Sequence, residues 1–219
     1  MVPVYSVVGR SNSGKTTLLE QLLRELIGRG RRVGTIKHHR HGPVVVDVPG
    51  KDSWRHKTAG AQTVVLASAE RAFAVWDSSG DTPLEALAFR YFPDVDVILT
   101  EGFKTGPMPK IEVNRRALGV PLLCGDADRL LAVVADWETG AAVPHFGLDQ
   151  VGPLADFLER QMALDQVQTN VELLVGGRRI ALDPATDVVL ARVIRSLVGD
   201  HHDLTQGPPI ELRIAGRLP

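Results

Sequence analysis

The chain opens on an apolar, β-branched run at residues 2–8 that stops at Gly9, the pattern of a buried strand. Leu18, Leu19, Leu22, Leu23, Leu26 and Ile27 then recur at helical spacing, with Glu20, Gln21, Arg24 and Glu25 between them. That spacing predicts an amphipathic helix over 16–27, ended by Gly28-Arg29-Gly30. Residues 32–37 read as a second strand running into His38-His39-Arg40-His41, and 44–48 as a β-branched run broken by Asp47 and stopped by Pro49-Gly50. Residues 51–60 read as a short helix capped by Asp52 or Ser53. Two strands, 62–68 and 72–76, are placed to pair. A helix over 83–91 has Thr82 as cap and Pro83 at its first position. Further strands are expected at 95–99, 110–113 and 131–135, and a closing helix at 153–162.

Strands alternating with helices predict an α/β fold, a mainly parallel sheet with helices on both faces. We expect this domain to fill residues 1–164. The composition turns polar over 165–170, as a linker would. Beyond it, 171–175, Gly176-Gly177 and 179–182 form a hairpin pattern, and Asp183-Pro184 opens a helical pattern over 188–198. A small ββα extension over 168–219 is the expectation.

Composition narrows the function classes. Net charge is −1, so bulk electrostatics favour neither nucleic acid nor an anionic membrane as partner. The single cysteine, Cys124, excludes an internal disulfide and fits a reducing compartment. There is no run of about 18 apolar residues, and no basic, apolar leader precedes Gly9. A cytoplasmic location is the expectation.

The chemistry concentrates at the first strand–helix junction. Gly9-Arg10-Ser11-Asn12-Ser13-Gly14-Lys15-Thr16 matches G-x-x-x-x-G-K-[ST] at every fixed position. Glycines let the backbone turn so that successive N–H groups converge on one anion, and the following helix aims its positive end at the same point. Gly9, Ser11, Asn12, Ser13, Gly14, Lys15, Thr16 and Thr17 are the expected phosphate cradle. Lys15 should reach the β- and γ-phosphates, and Thr16 should offer its hydroxyl to Mg²⁺. The bland alternative is a Gly/Ser-rich turn without a ligand.

Glu101 follows the strand at 95–99 and so stands at a strand's carboxyl end, where open α/β sheets bind ligands. It is a candidate metal-shell acid, the alternative being a solvated loop carboxylate. Asp96 lies within the strand and is less favourably placed. Asp47 is either a second metal-shell acid or a turn-capping residue. Lys37 ends the second strand and either faces the phosphates or is solvated. His38, His39 and His41 lack a nearby Cys or carboxylate at zinc spacing, which favours a polar loop over a metal site. No Asn-Lys-x-Asp element occurs, so these residues alone do not select guanine over adenine.

Further segments follow in a recognisable order: Val33-Gly34-Thr35-Ile36-Lys37-His38-His39, Pro49-Gly50-Lys51-Asp52-Ser53-Trp54-Arg55-His56, Ala59-Gly60-Ala61, Glu101-Gly102-Phe103-Lys104 and Pro109-Lys110-Ile111-Glu112-Val113. With the phosphate loop they resemble the MobB family, the molybdopterin-guanine dinucleotide biosynthesis adaptors, over residues 2–116. The resemblance implies a P-loop fold that binds GTP with Mg²⁺, hydrolyses it weakly and forms a homodimer. It implies a partner, the MobA-type molybdopterin nucleotidyltransferase that joins GMP to molybdopterin. By that likeness Lys15 and Glu101 are catalytic, Thr16, Glu101 and Asp47 serve the metal, and Lys37 and Asp52 line the site. Lys51 and Arg55 are candidates to meet the anionic pterin or the partner. One departure stands out: Pro43 and Val45 occupy positions where the family carries acids before Pro-Gly-Lys-Asp, which predicts still weaker hydrolysis.

A small-molecule P-loop kinase is the competing enzyme class. It needs an arginine-bearing lid over ATP, and neither Arg115-Arg116 nor Arg178-Arg179 sits in a clear lid pattern. A nucleotide-gated binding module without turnover is the non-enzymatic alternative.

Overall fold

The structure is a computed structural model of the 219-residue chain. It describes residues 2–39, 47–78, 80, 82–92, 94–165, 173–175, 178–183, 186, 189–190 and 193–194. Its elements are β1 (Val4–Val8), α1 (Lys15–Gly28), β2 (Val33–Lys37), α2 (Asp52–Thr58), β3 (Thr63–Ala67), β4 (Ala72–Trp76), α3 (Leu84–Tyr91), β5 (Val97–Glu101), β6 (Lys110–Asn114), β7 (Leu130–Ala135), β8 (His145–Phe146), α4 (Val151–Asp165), β9 (Leu173–Val175) and β10 (Arg178–Ile180). The chain divides into two compact units, residues 1–38 with 84–219, and residues 39–83.

The first unit is built on a six-stranded sheet in the order β2-β5-β1-β6-β7-β8, with every pairing parallel. Side chains alternate across it, as strand geometry requires. Tyr5, Val7, Val97, Leu99, Ile111, Val113, Ala132 and Val134 share one face. There they pack against Leu18, Leu22 and Leu26 of α1 and Leu154, Leu158 and Met162 of α4. Burying each such leucine contributes about 1.5–3 kcal/mol, and the sum is the main force holding both helices down. Arg29, just past α1, fastens the pair: its guanidinium donates to Glu25, Asp156 and Glu159 and to the Gly152 carbonyl. Val4 and Ile98 on the opposite face pack against Leu84 and Ala88 of α3, so helices cover both faces.

The half of that second face under β6 is covered differently. Lys110, Glu112 and Asn114 point away from α1 and α4, and all three are buried. Lys110 Nζ donates to the carbonyls of Gly106 and Asp128 at 2.8 and 2.6 Å. The Glu112 carboxylate accepts from Leu123 N at 2.6 Å and Cys124 N at 2.9 Å. Asn114 reaches the Val120 and Pro121 carbonyls and accepts from Trp137 Nε1. A buried polar group is costly unless hydrogen-bonded. These three meet that demand by tying down the irregular segment 115–129.

The second unit carries α2 and a separate antiparallel pair, β3–β4. Leu66 and Phe73 face each other across that pair, at 59% and 42% exposure. Lys57 pairs with Asp77 and donates to the Ala61 carbonyl.

Several boundaries differ from expectation. The residue capping α2 is Lys51, with no side-chain cap bond; Asp52 lies in the first turn and Ser53 donates instead to Asp47 Oδ1 at 3.0 Å. Helix α3 begins at Leu84, after Pro83. Asp96 precedes β5, and Arg32 holds its carboxylate through N and Nη2, both at 2.8 Å. Glu101 is itself the last residue of β5. The hairpin expected in the extension is present as β9–β10. In the β-branched run 44–48, Asp47 and Val48 belong to no strand; the rest of that run, His41, Pro43, the linker residues 166–170 and most of the helix expected at 188–198 lie outside the described residues.

Candidate functional site

The central strand β1 feeds directly into α1, and the six residues between them make a tight loop. Gly9 has φ +149° and Gly14 φ +96°, conformations closed to ordinary side chains. At Gly9 space closes as well: a Cβ there would sit 2.4 Å from the Val113 carbonyl oxygen. Asn12 adds a third left-handed turn at φ +61°, which Asn tolerates better than most residues. Ser13 is buried, and its Oγ has no hydrogen-bond partner among the described residues.

The sheet order decides what surrounds this loop. β5 lies on one side of β1 and β6 on the other. Glu101 of β5 is in register with Val7 and with Lys37 of β2. On β5 it falls on the face of Val97 and Leu99, the face covered by α1. The first turn of that helix therefore meets it: Thr16 Oγ1 lies 3.1 and 3.2 Å from the two Glu101 oxygens. Lys37 Nζ stands 3.6 Å from Glu101 Oε1. After Glu101, Gly102 turns at φ +103° and bonds its N–H to the Val7 carbonyl; Phe103 stacks on His38 with ring centroids 4.7 Å apart.

Lys15 Nζ donates to the Arg10 carbonyl at 2.6 Å, folding back over the loop. Burial holds its pKa below the ordinary lysine value, and the charges of Lys104 and Lys37 push the same way against the opposing pull of Glu101. Such crowding of cations on one carboxylate is relieved by an anion. Beside it opens a pocket of about 510 Å³ lined by Asn12, Gly14, Lys15, Thr16, Thr17 and Arg115.

Of the expected site residues, the loop, Lys15, Thr16, Thr17, Lys37 and Glu101 come together at the carboxyl ends of the strands. Asp47 and Asp52 belong to the unit 39–83 and make local contacts there: Asp47 Oδ1 accepts from Val48 N, and Asp52 lies 3.7 Å from Arg55. Among the described residues no three His, Cys, Asp or Glu side chains cluster so as to hold a metal ion. Arg115 and Lys104 were not among the expected site residues. Arg115 follows β6 at its carboxyl end, the same positional rule that singled out Glu101, applied to the strand on the other side of β1.

A parallel sheet whose central strand turns through two left-handed glycines into a helix opening with Lys-Thr is a P-loop NTPase fold. The model of the family described as MobB, molybdopterin guanine dinucleotide synthesis protein B, matches residues 4–136, and the chain belongs to that family. A molybdopterin-guanine dinucleotide biosynthesis adapter protein of Haemophilus influenzae is 39% identical over 159 residues, covering 72% of this chain and 88% of the relative. The protein of the same description from Escherichia coli is 36% identical over 170 residues, 74% and 94% of the two chains. Bacillus subtilis MobB superposes with a TM-score of 0.58 at 29% identity, over 73% of this chain and 97% of that one.

Proposed function

We propose that this protein is a GTP-binding adapter with weak GTPase activity that serves molybdopterin-guanine dinucleotide assembly beside a MobA-type nucleotidyltransferase. The observation that carries the reading is the meeting of Thr16 Oγ1 with both oxygens of Glu101, 3.1 and 3.2 Å away, at the mouth of the phosphate loop. Family membership and the adapter descriptions of the relatives from Haemophilus influenzae and Escherichia coli support the biosynthetic role.

The donor set suits Mg²⁺. That ion takes hard oxygen ligands, with one or two carboxylates beside phosphate oxygens and water. A threonine hydroxyl has one donor and two lone pairs. With its proton turned to Glu101, Thr16 still has lone pairs to offer a cation, and Glu101 would hold the ion directly or through water. When bound, Mg²⁺ supplies charge neutralisation along the β- and γ-phosphates. The chain's own residues do the rest. Amides of residues 12–17 converge on the phosphate chain, and Lys15 exchanges the Arg10 carbonyl for a phosphate oxygen. Lys37 and Lys104 hold the terminal negative charge, and Glu101 orients water.

Guanine preference, homodimer formation and a cytoplasmic location are part of the same proposal. No helix among the described residues is long and apolar enough to cross a membrane. The exposed β3–β4 ribbon, with Leu66 opposite Phe73, is the surface we assign to the homodimer.

The test is binding and hydrolysis of GTP and ATP with and without Mg²⁺, for wild type, Lys15→Ala and Glu101→Gln. We expect guanine preference, turnover below the usual enzyme range of about 1–1,000 per second, binding lost in Lys15→Ala, and Mg²⁺ dependence weakened in Glu101→Gln. Undiminished binding by Lys15→Ala refutes the site. Rapid phosphoryl transfer from ATP to a metabolite replaces the adapter by a kinase.

A further inference from the structure

We infer that Arg115 is a second anion-binding residue of this pocket, reaching the inner phosphates of the bound nucleotide from the β6 side. The inference rests on the nucleotide-binding reading above.

Arg115 stands immediately past β6, and Glu101 ends β5; the two strands flank β1, so the two side chains flank the loop from opposite sides. Arg115 Nε donates to the Ser13 carbonyl at 3.1 Å. A Cβ built on Gly14 would lie 3.1 Å from Arg115 Nη2 and 3.2 Å from Nε. The guanidinium therefore lies against the bare Cα that opens α1, a position only glycine leaves free. Together with Lys15, Thr16 and Thr17 it lines the pocket. A guanidinium has five N–H donors, and Nε to Ser13 is the sole hydrogen bond it makes among the described residues. Among the described residues no carboxylate pairs with it.

Its backbone is fixed on both sides. Asn114 is held through the Val120 and Pro121 carbonyls and Trp137. Arg116 N donates to Asp136 Oδ1 at 2.7 Å. The arginine is thus set in place before any ligand arrives, unlike a surface side chain that must be ordered on binding.

Position selects which anion it meets. Thr16 and Glu101 mark the metal end, where β- and γ-oxygens gather. Arg115 lies on the other flank of the loop, against Ser13 and Gly14, past the strand on the opposite side of β1 from Glu101. It accordingly reaches the part of the phosphate chain nearer the nucleoside, and it clamps GDP as well as GTP. Arginine suits this task because its planar fork gives two parallel bonds to one phosphate.

The experiment is calorimetric titration of Mg-GTP and Mg-GDP into wild type, Arg115→Ala, Arg115→Lys, Arg115→Gln and, as a neighbouring control, Arg116→Ala. We expect Arg115→Ala to weaken GTP and GDP equally, by about 10- to 100-fold, the range of a charge-assisted bond. Arg115→Lys should recover only part of that loss and Arg116→Ala should match wild type. Loss confined to GTP overturns the assignment to the inner phosphates. Full recovery in Arg115→Gln overturns it too, because an uncharged donor to Ser13 would then suffice. If Arg115→Ala binds both nucleotides within twofold of wild type while Lys15→Ala binds neither, this inference fails and the nucleotide site stands. If wild type binds no nucleotide, both fall.

Discussion

Alanine at Gly9 and alanine at Gly30 should differ sharply, although both residues have positive φ. Gly30 turns at φ +81° with nothing among the described residues within 4 Å of the site a Cβ would take. Gly30→Ala therefore costs only the left-handed backbone conformation, about 1–2 kcal/mol. Gly9 at φ +149° carries a comparable backbone cost of about 1–3 kcal/mol. Its Cβ would in addition stand 2.4 Å from the Val113 carbonyl oxygen and 2.6 Å from Ser13 Oγ. Ser13 can rotate, but the carbonyl belongs to β6 in the middle of the sheet. Relief needs β1 and β6 to part, with loss of at least one ladder bond worth about 0.5–1.5 kcal/mol and of packing around it. The total is about 3–5 kcal/mol, so Gly9→Ala should fall roughly 2–3 kcal/mol below Gly30→Ala. Urea unfolding followed by circular dichroism measures this gap, and titration with Mg-GTP on the folded fraction measures the site. Gly30→Ala should bind as wild type and Gly9→Ala should not. Equal stabilities, or normal binding by Gly9→Ala, would refute the assigned loop geometry.

Glu112→Gln puts an amide where two backbone N–H groups, Leu123 and Cys124, now share a carboxylate. One donor is left unsatisfied, at a cost of about 2–4 kcal/mol, or roughly 5–15 °C in melting temperature; an unchanged melting curve contradicts this. Burial, with the nearby Glu112 charge second, raises the Cys124 thiol from its ordinary 9.0 to about 12. The unfolded thiol ionises first, so this group's stabilising effect is whole below pH 9 and is lost as pH rises toward 12. Iodoacetamide should accordingly modify native Cys124 more slowly at pH 8–9 than the denatured chain, and equal rates would disprove its partial burial. Leu66→Glu should break the proposed homodimer to a monomer by light scattering, and an unchanged mass would move the interface elsewhere.

The phosphate loop was legible in the sequence because its chemistry is local: two glycines, a lysine and a threonine at fixed spacing after an apolar strand. Glu101 was legible by position, since a carboxylate ending a buried strand lands where such sheets bind ligands. Arg115 was not, because its role depends on β6 lying beside β1, a pairing between residues about a hundred positions apart. The burial of Lys110, Glu112 and Asn114 was equally hidden. Their alternation with Ile111 and Val113 looks like a strand with one wet face. That face is dry only because segment 115–129 folds over it and its backbone groups answer each polar atom. The two-residue strand β8 carries no period of its own and exists by pairing with β7. At Asp47 the two readings left open were a metal acid and a turn cap; its bonds to Val48 N and Ser53 match the turn cap in this structure.

The function proposed for this site turns on the amides between β1 and α1 gripping a phosphate chain. Backbone ¹⁵N–¹H spectra of the full chain, recorded while Mg²⁺ and a non-hydrolysable GTP analogue are added, address those groups individually. We expect the amides of residues 12–17 to shift most and to saturate together with Arg115. Amides in that loop that stay unmoved while the analogue saturates a site elsewhere would contradict it.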